Sequence, residues 1–189
     1  MTERENMTER EKMIAELPYD PSDKELCEMR NYARKMCKEF NECDPLDREK
    51  RSKILKELFG STGDSIYIEP TFMCDYGKNI HVGESFYANF NCVILDVAEV
   101  IIGKNCMMAP NVAIYTATHP IDPVERNNGT EYAKKIVIGD NCWLGGNSVI
   151  CPGVTIGNNV VVGAGSVVTK SFGDNVVLAG NPAKVIKTI

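Results

Sequence analysis

The chain has 189 residues, with 26 acidic and 21 basic side chains and a formal net charge of -5 at pH 7. This length favours one compact unit with room for a small appendage. The acidic balance argues against nucleic-acid binding, which normally needs a basic surface, and no apolar stretch reaches the roughly 18–20 residues that cross a bilayer. We therefore expect a cytoplasmic protein whose eight cysteines, without any CxxC spacing, remain thiols.

Residues 1–60 are rich in Lys, Arg and Glu and carry helical periodicity. The apolar spacing predicts three helices, over Met7–Leu17, Ser22–Phe40 and Arg48–Phe59. Ser22, followed three residues later by Glu25, suggests a capping box at the start of the second helix, and Gly60 is suited to end the third. We interpret residues 1–60 as a helical cap on residues 61–189.

An internal repeat of six residues begins after Gly60. Its clearest register has a large apolar residue at Ile138, Leu144, Ile150, Ile156, Val162 and Val168. A second, usually smaller inward position follows each of the first five after four residues, at Cys142, Ser148, Val154, Val160 and Ser166. The same phase continues upstream at Ile102, Met108 and Ile114, with Cys106, Val112 and Thr118 as the second positions.

Two irregularities interrupt the array. A looser version of the repeat runs through Val82, Ala88 and Ile94, and Val82 and Ile102 are twenty rather than eighteen positions apart, so one corner must hold two extra residues. Between Pro120 and Lys135 the pattern stops, which predicts a loop extruded at residues 120–135. A hexad is a short strand plus a turn, and three hexads form one triangular coil that is stable only when stacked on its neighbours. The fold class predicted is mainly β, a parallel β-helix.

Three further stretches make the assignment more specific. They are NFNCVILDV (89–97), APNVAIYTATHPIDPVERNNGTEY (109–132) and NPAKVIK (181–187), which closely resemble the maltose and galactoside O-acetyltransferases. The resemblance covers nearly the whole chain, including YDPSDKELCEMRNYARK in the cap. It implies a left-handed β-helix and a homotrimer. It also implies that acetyl-CoA donates an acetyl group to a sugar hydroxyl in a cleft between subunits, with no metal required.

The chain has only two histidines, His81 and His119. His119 follows Thr118, a predicted inward position, so its side chain should point outward just before the loop. Imidazole suits general-base chemistry because it titrates near neutral pH, and the resemblance implies that the histidine of THP is the catalytic base. His81 lies in a regular coil far from the loop, and we interpret it as structural.

The resemblance also implies a coenzyme site in which the pantetheine arm lies along the coils. The implied coenzyme residues are Asn89, Trp143, Gly146, Ala164, Thr169, Lys170, Lys184 and Lys187. The two C-terminal lysines match basic residues near the 3′-phosphate, whereas composition alone favours an ordinary solvated tail. Trp143 points outward and either walls the coenzyme cleft or packs between subunits.

For the sugar acceptor, the resemblance implies Asp20, Arg30, Asp75, Tyr87, Asn89, Asp96 and Glu131. Carboxylates and a guanidinium suit a polyol. Arg30 could instead lie at the surface, Asp96 could hold a corner, and Glu131 could be a partner of His119 or of the sugar. Asp75 and Val97 replace residues typical of the galactoside branch, so the sequence is closer to the maltose branch.

Other functions are compatible with the fold. A γ-class carbonic anhydrase needs three histidines around a metal, and this chain has two. Serine and antibiotic acceptors would use a similar donor site, and a non-catalytic scaffold would need neither the histidine nor the loop. Three cysteines fall on inward positions, which favours packing over a nucleophilic role: Cys92, Cys106 and Cys142.

Overall fold

The computed structural model describes residues 6–189, so the first five residues of the predicted cap lie outside the described part. Its helices are α1 (Glu9–Ile14), α2 (Lys24–Glu42), α3 (Arg48–Leu58) and the short α4 (Pro123–Asn127). Within residues 6–189 no helix combines the length and the apolar character needed to cross a membrane. The three predicted N-terminal helices are confirmed, with boundaries shifted by a few residues.

The predicted capping box of the second helix is wrong. Asp23, not Ser22, caps α2, and its carboxylate accepts from the backbone N–H groups of Glu25 and Leu26. Ser22 is instead tied to Asp20, because its backbone N–H and its hydroxyl both donate to the Asp20 carboxylate at 2.8 and 2.7 Å. A complete capping box does occur in this segment, but at Thr8 on α1.

The remainder of the chain is built from short strands. They are β1 (Ile66–Ile68), β2 (Phe72–Cys74), β3 (Ile80–Val82), β4 (Phe86–Ala88), β5 (Cys92–Leu95), β6 (Val100–Ile102), β7 (Met107–Met108), β8 (Ala113–Tyr115), β9 (Ala117–Thr118), β10 (Tyr132–Ala133), β11 (Ile136–Ile138), β12 (Trp143–Leu144), β13 (Val149–Ile150), β14 (Thr155–Ile156), β15 (Val161–Val162), β16 (Val167–Val168), β17 (Val176–Gly180) and β18 (Ala183–Thr188).

These strands form three parallel sheets that the chain visits in rotation. The first sheet has the order β1-β4-β7-β12-β15-β17, the second β2-β5-β8-β13-β16 and the third β3-β6-β11-β14. β18 adds to the first sheet as an antiparallel edge strand, and β9 and β10 form a separate antiparallel hairpin. The predicted fold, a parallel β-helix of hexapeptide repeats, is confirmed.

The interior of the coil is filled by the two inward positions of each hexad. All six large apolar residues from Ile138 to Val168 are buried, and so are the five predicted second positions between Cys142 and Ser166. One corner is occupied by asparagines with positive φ, a conformation that Asn tolerates better than most residues. Their amides form a ladder, Asn105 to Asn141 to Asn159 to Asn175, with donor to acceptor distances of 2.9–3.2 Å.

The corner with two extra residues lies between β5 and β6, where Asp96, Val97 and Ala98 are buried. The prediction for Thr118 is wrong. Thr116 is the buried residue, and its hydroxyl donates to the carbonyl of Leu95 and accepts from the N–H of Ala98. The chain therefore leaves the coil two residues earlier than predicted, so that Thr118 belongs to the half-exposed stem of the loop.

The helical cap covers the first coil. Apolar residues on one face of α2 and α3 join the main core, including Cys37, Phe40, Leu55 and Leu58. Arg51 is also buried, with its guanidinium over the Phe40 ring and a hydrogen bond to the carbonyl of Ile68 at 2.6 Å. The cap thus closes an end of the β-helix that would otherwise expose its interior.

Candidate active site

His119 lies at the end of the hairpin that begins the extruded loop. Thr118 in β9 pairs with Tyr132 in β10, so His119 and Glu131 are the next residues at the same end of this ladder. The His119 side chain is exposed, as predicted, and Pro120 after it is buried. An imidazole in this position is open to a ligand while its backbone is held by the hairpin.

The loop has its own internal structure. Asp122 caps α4, and Arg126 donates to the carbonyl oxygens of Pro120 and Ile121 at 3.1 and 2.9 Å. The Tyr132 hydroxyl donates to the Glu125 carboxylate at 2.6 Å. These bonds connect the far part of the loop to its stem, so the segment after His119 is held in place by several polar contacts.

The N-terminal segment is attached to the other side of the loop. Tyr19 and Glu131 form an antiparallel bridge, in which each backbone N–H donates to the carbonyl of the other at 3.2 and 3.3 Å. Next to it, the Lys135 N–H donates to the Glu16 carboxylate at 2.8 Å. The loop therefore lies between the coil and the cap.

A pocket of about 290 Å³ opens where the cap, the coil and the loop meet. Its lining residues are Tyr19, Pro21, Arg30, Arg34, Asp75, Tyr76, Val97 and Glu131. Three residues predicted for the acceptor, Arg30, Asp75 and Glu131, are thus brought together from three separate segments. Sequence reasoning missed Tyr19, Arg34 and Tyr76; only the position of Tyr19 beside Asp20 could have indicated its involvement.

Arg30 is fixed in this pocket rather than free at the surface. Its guanidinium donates to the Tyr76 hydroxyl at 2.7 Å and to the carbonyl of Pro21 at 2.6 Å. Burial raises the pKa of the Asp75 carboxyl group, and the nearby Glu131 carboxylate raises it further, while Arg30 and Arg34 act in the opposite direction. The pocket offers both carboxylate acceptors and guanidinium donors, which suits a ligand with several hydroxyl groups.

Asp20 and Asp96, two further predicted acceptor residues, do not line this pocket. Asp20 lines a neighbouring pocket of similar volume between α1 and the loop, and hydrogen bonds from Ser22 lower the pKa of its carboxyl group. Asp96 is fully buried and accepts from the backbone N–H groups of Asp75, Tyr76 and Asn79 at 2.9–3.3 Å. The fully buried Asp96 carboxylate is therefore not exposed for direct contact with a sugar, and it lies at a corner of the coil, the alternative considered for it.

The remaining predicted acceptor residues, Tyr87 and Asn89, lie on the first sheet, whereas the His119 hairpin leaves the second sheet after β8. Tyr87 is next to Met107, which is next to Trp143, in an outward row across β4, β7 and β12. The Asn89 side-chain oxygen accepts from the Phe90 N–H at 2.8 Å, which leaves the amide NH₂ as a donor. In one chain, these side chains and His119 belong to different faces of the coil.

Several predicted coenzyme positions share one corner of the coil. Asn89, Gly146 and Ala164 follow β4, β12 and β15, which lie in the first sheet, and the N–H of Gly165 donates to the carbonyl of Gly146 at 2.8 Å. Lys184 pairs with Ala179 at the end of the same sheet. The small residues at this corner leave backbone groups accessible along successive coils, as an extended arm with amides would need.

The other predicted coenzyme residues are more scattered. Thr169 and Lys170 are exposed after β16 in the second sheet, and the Lys170 ammonium lies 5.6 Å from the centre of the Phe172 ring. Lys187 is exposed on β18, and Trp143 is 49% exposed on β12. Trp143 therefore points outward as predicted, with its ring available to a ligand or a second chain.

Residues considered for other chemistry have structural environments. Half-buried His81 is hydrogen-bonded with the Ser61 hydroxyl at 2.9 Å. The thiols of Cys92, Cys106 and Cys142 are buried inside the coil, as predicted, and burial raises the pKa of Cys92. Among the described residues there is no group of three or more His, Cys, Asp or Glu side chains arranged to hold a metal ion.

Comparison with known proteins gives a consistent result. Residues 12–63 match the family described as "Maltose acetyltransferase hexapeptide capping motif", and residues 135–170 match "Hexapeptide repeat of succinyl-transferase". The galactoside O-acetyltransferase of Escherichia coli K12 is 46% identical over 87% of this chain and 81% of its own.

Two solved structures extend this similarity to three dimensions. A maltose O-acetyltransferase from Clostridium difficile 630 is 53% identical and superposes with a TM-score of 0.96, covering 97% of this chain and 98% of its own. A galactoside acetyltransferase in complex with coenzyme A is 43% identical, with a TM-score of 0.94, covering 97% of this chain and 92% of its own.

Proposed function

Because the chain belongs to the family of the maltose and galactoside O-acetyltransferases, which are sugar-acetylating enzymes, we propose that it transfers the acetyl group of acetyl-CoA to a sugar hydroxyl. The acceptors proposed are maltose, glucose or a galactoside, with His119 as the general base. The proposed location is the cytoplasm.

The observation that carries this proposal is that a pocket suited to a polyol lies next to the His119 hairpin. Arg30, Asp75 and Glu131 line one pocket of about 290 Å³, and Glu131 occupies the same end of the hairpin ladder as His119. A sugar held in the pocket by its hydroxyl groups would present one further hydroxyl toward the exposed imidazole. The chemistry of the pocket supports a polyhydroxyl acceptor over an apolar one.

The reaction we propose is direct transfer in a complex that holds both substrates. His119 removes the proton from the acceptor hydroxyl while its oxygen attacks the thioester carbon. The carbonyl oxygen gains negative charge, and the free amide NH₂ of Asn89 is the available donor for it. Collapse of the tetrahedral intermediate breaks the C–S bond, and the thiolate of coenzyme A takes the proton from His119.

For the coenzyme, we propose the corner formed by Asn89, Gly146 and Ala164 as the track of the pantetheine arm. Its amides would pair with backbone groups of successive coils, with Trp143 beside the track. Lys184 and Lys187 on β18, with Thr169 and Lys170, would interact with the end that carries the phosphates. The chemistry uses the reactive thioester and the histidine, so it needs no metal.

We propose a homotrimer with its sites between subunits. His119 and Asn89 lie on different faces of the coil in one chain, and the outward row of Tyr87, Met107 and Trp143 is apolar and partly exposed. A second copy placed against this row would bring its own His119 hairpin toward Asn89 and the coenzyme corner. This arrangement supports a site to which each neighbour contributes one half.

The proposed function is tested by acceptor screening of the purified protein. Acetyl-CoA is supplied with maltose, glucose, a galactoside, serine or chloramphenicol, and release of coenzyme A is measured with a thiol reagent while the product is identified by mass spectrometry. We expect a mono-acetylated sugar. Acetylation of serine or chloramphenicol without any sugar product would contradict the proposed acceptor class.

A further inference from the structure

The pocket that we assign to the acceptor contains a polar group without a bonding partner. Tyr19 is 4% exposed, and its hydroxyl has no hydrogen-bond partner in the described part of the chain. A buried hydroxyl that makes no hydrogen bond lowers stability, typically by about 1–3 kcal/mol. Such a group in a native pocket calls for a functional explanation.

The surroundings of the hydroxyl indicate which partner it would take. Burial raises the pKa of Tyr19, and the nearby Glu131 carboxylate raises it further, so the phenol keeps its proton as a donor. Arg30 offers only N–H donors, and the Tyr76 hydroxyl already accepts from it. The Glu131 carboxylate is therefore the acceptor suited to Tyr19.

The backbone already keeps the two residues in register. Tyr19 and Glu131 exchange both backbone hydrogen bonds, and both side chains contribute to the same pocket. The Glu131 carboxylate lies near enough to raise the pKa of the Tyr19 hydroxyl both through its charge and through a side-chain hydrogen bond, although the pair does not reach full hydrogen-bond geometry.

We propose that Tyr19 is a positioning residue of the acceptor site. When a sugar fills the pocket, the Tyr19 hydroxyl donates to the Glu131 carboxylate and holds it toward the hydroxyl groups of the sugar. The inference rests on the proposed function, because it takes the pocket between cap, coil and loop as the acceptor site. It adds a role for the N-terminal segment in the affinity for the acceptor.

The test uses Tyr19→Phe, which removes the hydroxyl and leaves the ring and the backbone bridge. With a sugar that the wild-type protein acetylates, we expect the KM for the sugar to rise roughly three- to tenfold, as for one lost hydrogen bond. The KM for acetyl-CoA should not change, and the melting temperature should be equal or higher, because the variant removes an unpaired buried group. Tyr32→Phe, whose hydroxyl donates to Glu57 at the surface, is the matched control and should change none of these.

A double-mutant cycle separates positioning from simple packing. In a Glu131→Gln background, Tyr19→Phe should raise the sugar KM less than twofold, because the carboxylate that the hydroxyl positions is gone. An unchanged sugar KM in Tyr19→Phe alone, or an effect of the same size in both backgrounds, would overturn the inference and leave the proposed function intact. If the wild-type protein acetylates no sugar, the proposed function fails, and the inference fails with it.

Discussion

The backbone of Tyr19 is hydrogen-bonded in both directions to the backbone of Glu131, so the N-terminal segment holds the loop that begins at His119. The link joins residues 112 positions apart in the sequence. It makes the geometry of this loop depend on the N-terminal segment that leads into the helical cap.

We therefore predict that Tyr19→Pro loosens the loop, because proline lacks the N–H that donates to Glu131. Trypsin cleavage after Arg126 should become at least severalfold faster than in the wild type, because cleavage follows local opening. Tyr19→Phe keeps the backbone bond and serves as the control, with a wild-type cleavage rate. Equal cleavage rates in all three proteins would show that this bridge does not hold the loop.

A second prediction concerns Asp96 and pH. Burial raises its pKa to about 8, although hydrogen bonds from backbone N–H groups favour the charged form. The folded protein therefore keeps a proton that the unfolded chain, with an ordinary carboxyl pKa near 3.8, has released. The free energy of unfolding should fall as pH rises from about 4 to about 8, by up to about 1.4 kcal/mol per pH unit from this group.

Urea unfolding between pH 5 and 9 measures this effect, and Asp96→Asn is the comparison because it cannot ionise. The difference in unfolding free energy between wild type and variant should change with pH up to about pH 8 and then level off. Parallel pH profiles for the two proteins would mean that Asp96 is already ionised in the folded state at pH 5.

The sequence was sufficient to predict the coil because hexad periodicity is a local property. Each inward position, from Ile138 to Val168, could be read from spacing alone, and so could the corner with two extra residues. The position at which the chain leaves the coil could not be read in the same way. It depends on Thr116 bonding to Leu95 and Ala98 in the neighbouring coil, which no spacing reveals.

The candidate site likewise has one part that could be predicted from local sequence and another that depends on tertiary packing. His119 was identifiable because the chain has few histidines and one of them precedes a break in the repeat. The pocket combines Tyr19, Arg34 and Tyr76 with the predicted residues only through packing of the cap on the coil. Asp96 illustrates the limit, because an acidic residue that binds a ligand and one that holds a buried turn look alike in sequence.

The coenzyme proposal predicts that Lys184 and Lys187 add affinity rather than chemistry. The double variant Lys184→Ala and Lys187→Ala should raise the KM for acetyl-CoA by roughly tenfold, because two charged contacts to phosphate are lost. The kcat at saturating coenzyme should stay near the wild-type value. Lys35→Ala with Lys38→Ala, on the exposed face of α2, gives the same charge change as a control.

An unchanged KM for acetyl-CoA in this double variant would remove the two lysines from the coenzyme site. An equal loss of kcat in the variant and in the α2 control would point to net charge as the cause.

The trimer proposal predicts that the outward apolar row is covered in solution. Met107→Glu places a charge in the middle of the row between Tyr87 and Trp143, where burial against a second chain would be unfavourable. Light scattering should give three times the chain mass for the wild type and a smaller mass for the variant, with acetyl transfer lost. Leu46→Glu, at an 87% exposed position between α2 and α3, should remain trimeric and active.

A wild-type protein that is a monomer with full activity would contradict the trimer proposal. A Met107→Glu variant that remains a trimer would instead show that the contact lies on another face.

The central claim, that His119 is the general base in direct transfer, is tested most directly by the steady-state kinetics of His119→Ala together with its affinity for acetyl-CoA. We predict that kcat falls by roughly 10²–10⁴-fold, the usual contribution of a positioned base, while the dissociation constant for acetyl-CoA stays within about twofold of wild type. A loss of less than about tenfold, or parallel-line kinetics with an isolable acetyl-enzyme, would contradict the claim.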